Sequence, residues 1–394
     1  MAVKEIKKDI LAVGAVDWDR RLFDELIPLP DGTSYNAYLV RGRDKTALLD
    51  TADPTKVHEL LANLKASSVP RIDYIISHHA EQDHSGAIPD VLKAHPEALV
   101  VTNDKCRAML ADLLPIPADR FQTVKDGETL DLGGRTLEFI LAPWVHWPET
   151  MLTYLREEKI LFPCDFFGSH LAQSELFVVD EPRTYGAAKR YFAEIMMPFR
   201  SNIRSHLQRL EKYPLEIIAP SHGPVHQKPA FILDAYRDWV SDRVTNRVLL
   251  PFVSMHGSTR LLVDYFVDAL RLRGIGVIPC NMTRTDIGEL AKDLVDAATV
   301  VLGSPMVLGG AHPAMVTAAY LANALRPKTR FVSIIGSYGW GGRMLENLQG
   351  MLTNIKVELL EPVFIKGVPR PADFAALDRL ADGIVAKHRE IGIL

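Results

Sequence analysis

Cysteine is scarce in this chain. Only Cys106, Cys164 and Cys280 occur among 394 residues, odd in number and never in a Cys-x-x-Cys pair. That argues against a disulfide framework and against a cysteine-built zinc or iron–sulfur site; the three read as small buried hydrophobes. No apolar run approaches the ~20 residues that span a bilayer. The opening Met1-Ala2-Val3-Lys4-Glu5-Ile6-Lys7-Lys8-Asp9 has neither the apolar core nor the cleavage site of a signal peptide. A cytoplasmic protein with no membrane partner is the expectation. A surplus of one charge is also missing: 45 Lys and Arg against 49 Asp and Glu leave −4, mixed along the chain. No concentrated basic face is available for nucleic acid. Two nucleotide signatures are absent as well, G-x-x-x-x-G-K-[ST] and G-x-G-x-x-G.

What is present suits two globular domains, since ~100–200 residues per domain is usual. The first half opens with short β-like runs, Tyr35–Val40 and Thr46–Leu49, followed by Asp50. Ile72–Ser77 reads as a buried strand from its β-branched content. Helical and strand-like segments then alternate to Leu161, and a long amphipathic helical region from about Tyr185 to Glu211 is interrupted near Pro198. The second half alternates strictly: five strands near Val248–Val253, Gly276–Ile278, Thr299–Leu302, Arg330–Ile335 and Val357–Leu359, each followed by a helical pattern. In Thr259–Arg273 the residues Leu262, Val263, Phe266, Val267 and Leu270 share one face. Strict alternation implies a doubly wound parallel sheet. The polar stretch Ser241–Arg247 marks the boundary, giving domains 1–246 and 247–394.

Histidines and carboxylates follow strand-like segments in the first half. His79, Glu81, Asp83 and His84 come just after Ile72–Ser77; His146 follows Thr136–Leu141, Asp165 follows Ile160–Phe162, and His222 follows Glu216–Ala219. Alternation along an extended segment would send His79, Glu81 and Asp83 to one site and His84 to a neighbour, a geometry for two adjacent metals. A hard anionic donor set without thiolate suits iron or manganese, though zinc also takes His and Asp. Asp165, isolated in sequence, is the natural bridge between two cations. His226 competes with His222, which lies directly after the strand and is preferred. His78 should point away from His79 and is read as structural. His170 is read as lining the pocket behind the metals.

Three loops in the second half suit a flavin. Ser254-Met255-His256-Gly257-Ser258-Thr259 joins a strand to a helix, and its hydroxyls and backbone N–H groups suit a phosphate. Ser304-Pro305-Met306-Val307-Leu308-Gly309 and Ser337-Tyr338-Gly339-Trp340-Gly341 follow later strands. Their glycines let backbone approach a planar ring, and Tyr338 and Trp340 suit stacking on its faces.

The H-x-[EH]-x-D-H pattern, followed in order by His146, Asp165 and His222, resembles the metallo-β-lactamase fold. Glu81, where hydrolytic members usually have histidine, and the flavodoxin-like half behind it resemble the flavodiiron proteins over nearly the whole chain. That resemblance implies an N-terminal αββα sandwich, a flavodoxin-like domain holding FMN, and two iron ions. One iron would take His79, Glu81 and His146, the other Asp83, His84 and His222, with Asp165 bridging; His84 is the ligand that varies among members. It further implies reduction of dioxygen or nitric oxide, electrons from a separate rubredoxin or a reduced deazaflavin, and a homodimer or dimer of dimers in which FMN meets the partner's irons. Many members carry His-Gly-Tyr near the substrate pocket, where this chain has Leu22-Phe23-Asp24-Glu25-Leu26. The competing readings are a dinuclear zinc hydrolase and an electron carrier without catalysis.

Overall fold

The computed structural model describes residues 3–394, which separate into two compact units. One runs to Phe192 and includes Phe199–Val240; the other holds Ala193–Pro198 and Ser241–Leu394.

The first unit is built on two sheets. The larger orders its strands Lys4–Lys7, Ile10–Ala12, Tyr38–Arg41, Thr46–Leu49, Tyr74–Ile76, Leu99–Thr102 and Phe121–Thr123. The smaller orders Thr129–Asp131, Thr136–Leu141, Met151–Leu155, Ile160–Phe162 and Ile217–Ile218. The pleat sends alternate residues to opposite faces. Val40, Ala47, Leu49, Ile76 and Val101 therefore meet Leu137, Phe139, Met151, Leu155 and Phe162 of the second sheet. Their chain neighbours Leu39, Leu48, Ile75 and Val100 face the other way, onto Leu60, Leu64, Ile88, Val91, Cys106 and Leu110 of the helices Val57–Ala66, Ile88–Ala94 and Asp104–Leu113. Outside the smaller sheet, Arg209 of the helix Arg200–Leu210 donates to Leu141 O at 2.9 Å. The result is the expected αββα sandwich. Thr46–Leu49, Tyr74–Ile76, Leu99–Thr102 and Phe121–Thr123 run parallel, as do Ile160–Phe162 and Ile217–Ile218. Their carboxyl ends carry the loops of interest.

The second unit has a parallel sheet in the order Gly276–Asn281, Thr245–Phe252, Ala297–Val307, Phe331–Tyr338, and then Glu358–Leu359 with Val363–Lys366. This 2-1-3-4-5 arrangement is the flavodoxin-like winding. The expected face of the helix Ser258–Leu272 is buried through Leu262, Val263, Phe266 and Leu270, against Val248, Leu250 and Phe252 of the sheet. Two strands exceed the expectation. Ala297–Val307 and Phe331–Tyr338 continue through Gly303-Ser304-Pro305 and Gly336-Ser337, because those residues still pair with one another in register. The short strand Val363–Lys366 was not foreseen. Among the described residues no helix is long and apolar enough to cross a membrane.

Candidate metal centre and cofactor pocket

Tyr74–Ile76 delivers His78 and His79 at its carboxyl end, and the chain stays extended to Glu81, whose φ and ψ are −58 and 136. It then enters the helical turn Gln82–Ser85. That turn corrects the alternation argument. Asp83 is carried away from His79 and Glu81 and placed beside His84, because a residue inside a helical turn no longer follows a two-residue period.

Two groups of donors result. In one, His79 Nε2 lies 2.8 Å from Asp165 Oδ2 and 3.4 Å from Glu81 Oε2. His146 Nε2 lies 3.1 Å from Glu81 Oε2 and 3.4 Å from Asp165 Oδ2. In the other, His84 Nε2 lies 3.2 Å from Asp83 Oδ2 and 3.0 Å from Asp165 Oδ1. His222 Nε2 lies 3.1 Å from Asp83 Oδ2 and 3.4 Å from Asp165 Oδ1. Asp165 thus gives one oxygen to each group. With metal–ligand bonds of ~2.1 Å, neighbouring donors of a tetrahedral or octahedral shell stand roughly 3.0–3.4 Å apart. Seven of the eight separations match those shell edges, and the His79–Asp165 pair is shorter by about 0.2 Å.

Hydrogen bonding does not explain the same contacts. His79 Nε2, both ring nitrogens of His84, both oxygens of Asp83 and Oδ2 of Asp165 are buried and have no hydrogen-bond partner. The distances are short enough for such bonds, but the atoms are not aligned for them. Each buried polar atom left unsatisfied costs ~1–3 kcal/mol, so the arrangement fits a pair of cations. The electrostatics agree. Burial works against the charged form of His146, yet Asp165 and Glu81 outweigh it and hold its pKa up at about 9. Burial also opposes the charged carboxylate of Asp165, but His84 and His79 keep it well below the ordinary range. The carboxylates pull the neighbouring imidazoles toward their positive form, so the cluster draws positive charge.

Surrounding groups fix these side chains. His222 Nδ1–H donates to Ser34 O at 2.6 Å, leaving Nε2 as the free donor atom. Tyr191 donates its hydroxyl to Asp165 Oδ1 at 2.8 Å. Glu149 Oε1 accepts from Ala80 N–H at 3.0 Å, steadying the residue between His79 and Glu81. Asp50 accepts from His78 N–H at 3.0 Å, binds His78 Nδ1 at 2.7 Å, and accepts from Ser221 Oγ–H at 2.9 Å. One carboxylate therefore ties the loop before His79 to the loop before His222. Tyr191, Glu149 and Asp50 were not singled out from sequence, where each looks like an ordinary helix or turn residue.

His78 turns from the cluster, as expected, its Nε2 at 2.8 Å from Thr153 Oγ1. His226 is not among the converging groups; its Nε2 donates to Phe167 O at 3.2 Å. His170 packs behind His222 with ring centroids 4.9 Å apart and shares a 2.9 Å hydrogen bond with Thr33 Oγ1. All three cysteines are buried. Cys164 Sγ sits 3.6 Å from His79 Nδ1, the far side of the ring from the donors, and burial pushes its thiol up to about 12.

The second unit has a cavity of about 200 Å³ at the carboxyl ends of its strands, lined by Met255, His256, Ser258, Thr259, Pro305, Met306, Ser337, Tyr338, Gly339 and Gly367. Gly257, at φ 93, caps the 15-residue helix Ser258–Leu272 and turns the loop so that the helix N-terminus faces this cavity. Hydroxyls at a helix N-terminus fit a phosphate. Thr259 Oγ1 and Ser337 Oγ are 3.0 Å apart, linking the first loop to the third. Tyr338 lies against Phe364 at 4.7 Å and 28°, fixed for stacking. A side chain at Gly336 would meet Ser304 O at 2.1 Å, so only glycine lets these strands pair so closely. Ser254, Gly257, Ser304, Val307, Leu308, Gly309, Trp340 and Gly341 do not line the cavity. Ser304 is buried and turned onto Pro305 O at 2.9 Å, while Trp340 is 65% exposed. Gly367 lines it unforeseen, from a segment with no phosphate-loop signature.

Residues 33–223 match the model of the ODP family beta lactamase. The nitric oxide reductase of Moorella thermoacetica is 35% identical over 391 residues, covering 97% of this chain and 98% of that protein. The anaerobic nitric oxide reductase flavorubredoxin of Pectobacterium carotovorum is 32% identical over 90% of this chain and 72% of that protein. Among solved structures, the rubredoxin oxygen:oxidoreductase of Desulfovibrio gigas matches with a TM-score of 0.95 at 29% identity, covering 98% of this chain and 99% of that one. A β-lactamase-like sandwich followed by a flavodoxin-like sheet defines a two-part redox enzyme rather than a hydrolase. This chain belongs to the flavodiiron family of oxidoreductases.

Proposed function

We propose that the enzyme reduces nitric oxide to nitrous oxide, dioxygen to water, or both, at a non-haem diiron centre supplied by FMN. The observation that carries this is the division of Asp165, one oxygen to each of two donor groups. His79, Glu81 and His146 would hold one iron and Asp83, His84 and His222 the other, with Asp165 between them. Iron held there would supply the electrons for reducing the gas, and FMN held in the second unit would supply their replacement. The chain's own groups prepare that site. Ser34 O fixes the His222 ring through Nδ1, the Tyr191 hydroxyl orients the shared carboxylate, and Asp50 holds two ligand loops in register. In the other unit, Ser258, Thr259 and Ser337 with the helix N-terminus would bind the phosphate, and Tyr338 would lie on the ring. Rubredoxin or a reduced deazaflavin is the electron source in this reading, and the working form is a homodimer or dimer of dimers.

The test is anaerobic gas consumption by the reduced protein, dioxygen against nitric oxide, with iron and FMN measured in the same sample. Two zincs in a colourless preparation would favour the hydrolase instead. An iron-loaded, FMN-replete sample that consumes neither gas with a competent donor would leave only an electron carrier.

A further inference from the structure

Asp165 sits in a turn that runs against ordinary backbone preference. Cys164 before it stands at φ 55 and Phe167 after it at φ 71. Neither is glycine, and residues with a side chain seldom adopt left-handed backbone. Strain of this kind persists where the surroundings impose it. Here the surroundings are identifiable. Cys164 is tied down by Ser221 N–H, which donates to its carbonyl at 2.8 Å. Phe167 is held on both sides. Its N–H donates to Tyr236 Oη at 3.3 Å, and its carbonyl accepts from His226 Nε2 at 3.2 Å. Its buried ring lies against those of Phe166 and Tyr236, at centroid distances of 3.9 and 4.9 Å. Gly168 N–H then donates to Asp165 O at 2.9 Å and closes the turn that carries the shared carboxylate.

His226 brings a fixed point to this turn. Its backbone exchanges two hydrogen bonds with Ile218, its own N–H donating at 2.8 Å and its carbonyl accepting at 3.0 Å. The ring is thereby anchored to the strand Ile217–Ile218. It is buried, and Nδ1 has no partner, so the one hydrogen bond of the ring is spent on Phe167. The same stretch of chain carries His222, whose Nε2 lies 3.4 Å from Asp165 Oδ1. One segment thus supplies a candidate ligand and a brace for the carboxylate beside it. We propose that His226 is a positioning residue for the metal centre: through Phe167 it holds the turn that aims Asp165 at both donor groups. The inference rests on the diiron reading above. A histidine that only satisfied a buried carbonyl would stabilise the fold and leave the centre unchanged.

The experiment loads the full FMN-replete chain with ferrous iron under anaerobic conditions and follows iron affinity and the Mössbauer spectrum of the pair. His226→Leu keeps apolar bulk and removes the N–H. It should still take up two irons, each bound about 10-fold more weakly, the lower end of the effect of losing a group that orients a ligand. The spectrum should change at both irons, because Asp165 serves both donor groups. His226→Gln, whose amide N–H can stand where Nε2 does, should restore affinity and spectrum. If His226→Leu does not fold, His226→Asn, whose amide falls short of Phe167 O, gives the same readout. Wild-type affinity and spectrum in the folded Leu or Asn variant would overturn the proposal. So would a change at one iron only, or a loss that His226→Gln does not relieve. A wild-type chain that fails to hold two irons would instead refute the diiron reading, and that is seen before any variant is compared.

Discussion

In the first unit the candidate chemistry is carried by side chains that are almost wholly inside the protein; in the second it is carried by backbone and hydroxyls around an open cavity. His79, His84, Asp165 and His222 are each no more than 1% exposed, whereas Met255 at the other site is 46% exposed. The donor cluster concentrates three carboxylates and four imidazoles out of water, an arrangement that fits cations. The cavity of the second unit concentrates hydrogen-bond donors and a helix terminus, which suit an anion without a large desolvation cost. Removing the metals should therefore disturb the first unit more than removing FMN disturbs the second.

The largest expected effect is at Asp165. Asp165→Ala removes an oxygen from each donor group at once, and both irons should be lost, with FMN retained; iron and flavin analysis of one sample would show it. Retention of either iron would break the argument that this carboxylate is shared. Next comes the paired comparison of His222→Asn and His226→Asn. The former should lose iron. The latter should keep iron and lose roughly 1–3 kcal/mol of stability in denaturant unfolding, the cost of disturbing a buried hydrogen bond. Iron loss in the His226 variant alone would show the wrong histidine was assigned.

A smaller effect is expected in the second unit. Gly257→Val forces a β-branched residue into φ 93 at the helix cap. Left-handed backbone costs such residues ~1–2 kcal/mol, so FMN should bind about 10-fold more weakly, with iron content unchanged. Coupled loss of iron would mean that the two sites are not separable. The smallest effect concerns acid. His388 is buried between Thr299 Oγ1 and Asn246 Oδ1, each at 2.8 Å, and burial lowers its pKa to about 4. An unfolded histidine titrates near ~6.5, so the folded chain binds fewer protons between those values. Stability of the second unit should fall as pH drops from about 6.5 towards about 4 and be level above that range. Burial gives His226 of the first unit the same direction, also to about 4. Thermal melts across this range, repeated with His388→Gln, would show the slope flattening in the second unit only.

The two sites also differed in how much their sequences revealed. Metal-ligating side chains have distinctive chemistry, so the candidates His79, Glu81, His146, Asp165 and His222 stand out as single letters after strand-like runs. The partition of Asp83 did not, because Gln82–Ser85 is a four-residue helical turn and too short to show a period. Asp50, Glu149 and Tyr191 act through hydrogen bonds to a loop or a candidate ligand, and nothing in their neighbours marks them. In the second half, β-α alternation and the face of Ser258–Leu272 were plain. The cavity lining was harder, because it depends on where backbone turns. Gly303-Ser304-Pro305 looks like a strand breaker, yet register with Phe331–Tyr338 keeps it in the sheet. Trp340 is 65% exposed, while Tyr338 and Gly367 line the cavity.

The knot at Asp50 bears on the order of assembly. It joins the strand ends before His79 and His222 through protein bonds alone. The spacing of those loops is then a property of the folded chain and not of its cargo. On the diiron reading, folding should come first and metallation second, so a chelator should empty the centre without melting the sandwich, and added ferrous iron should refill it without a denaturation cycle.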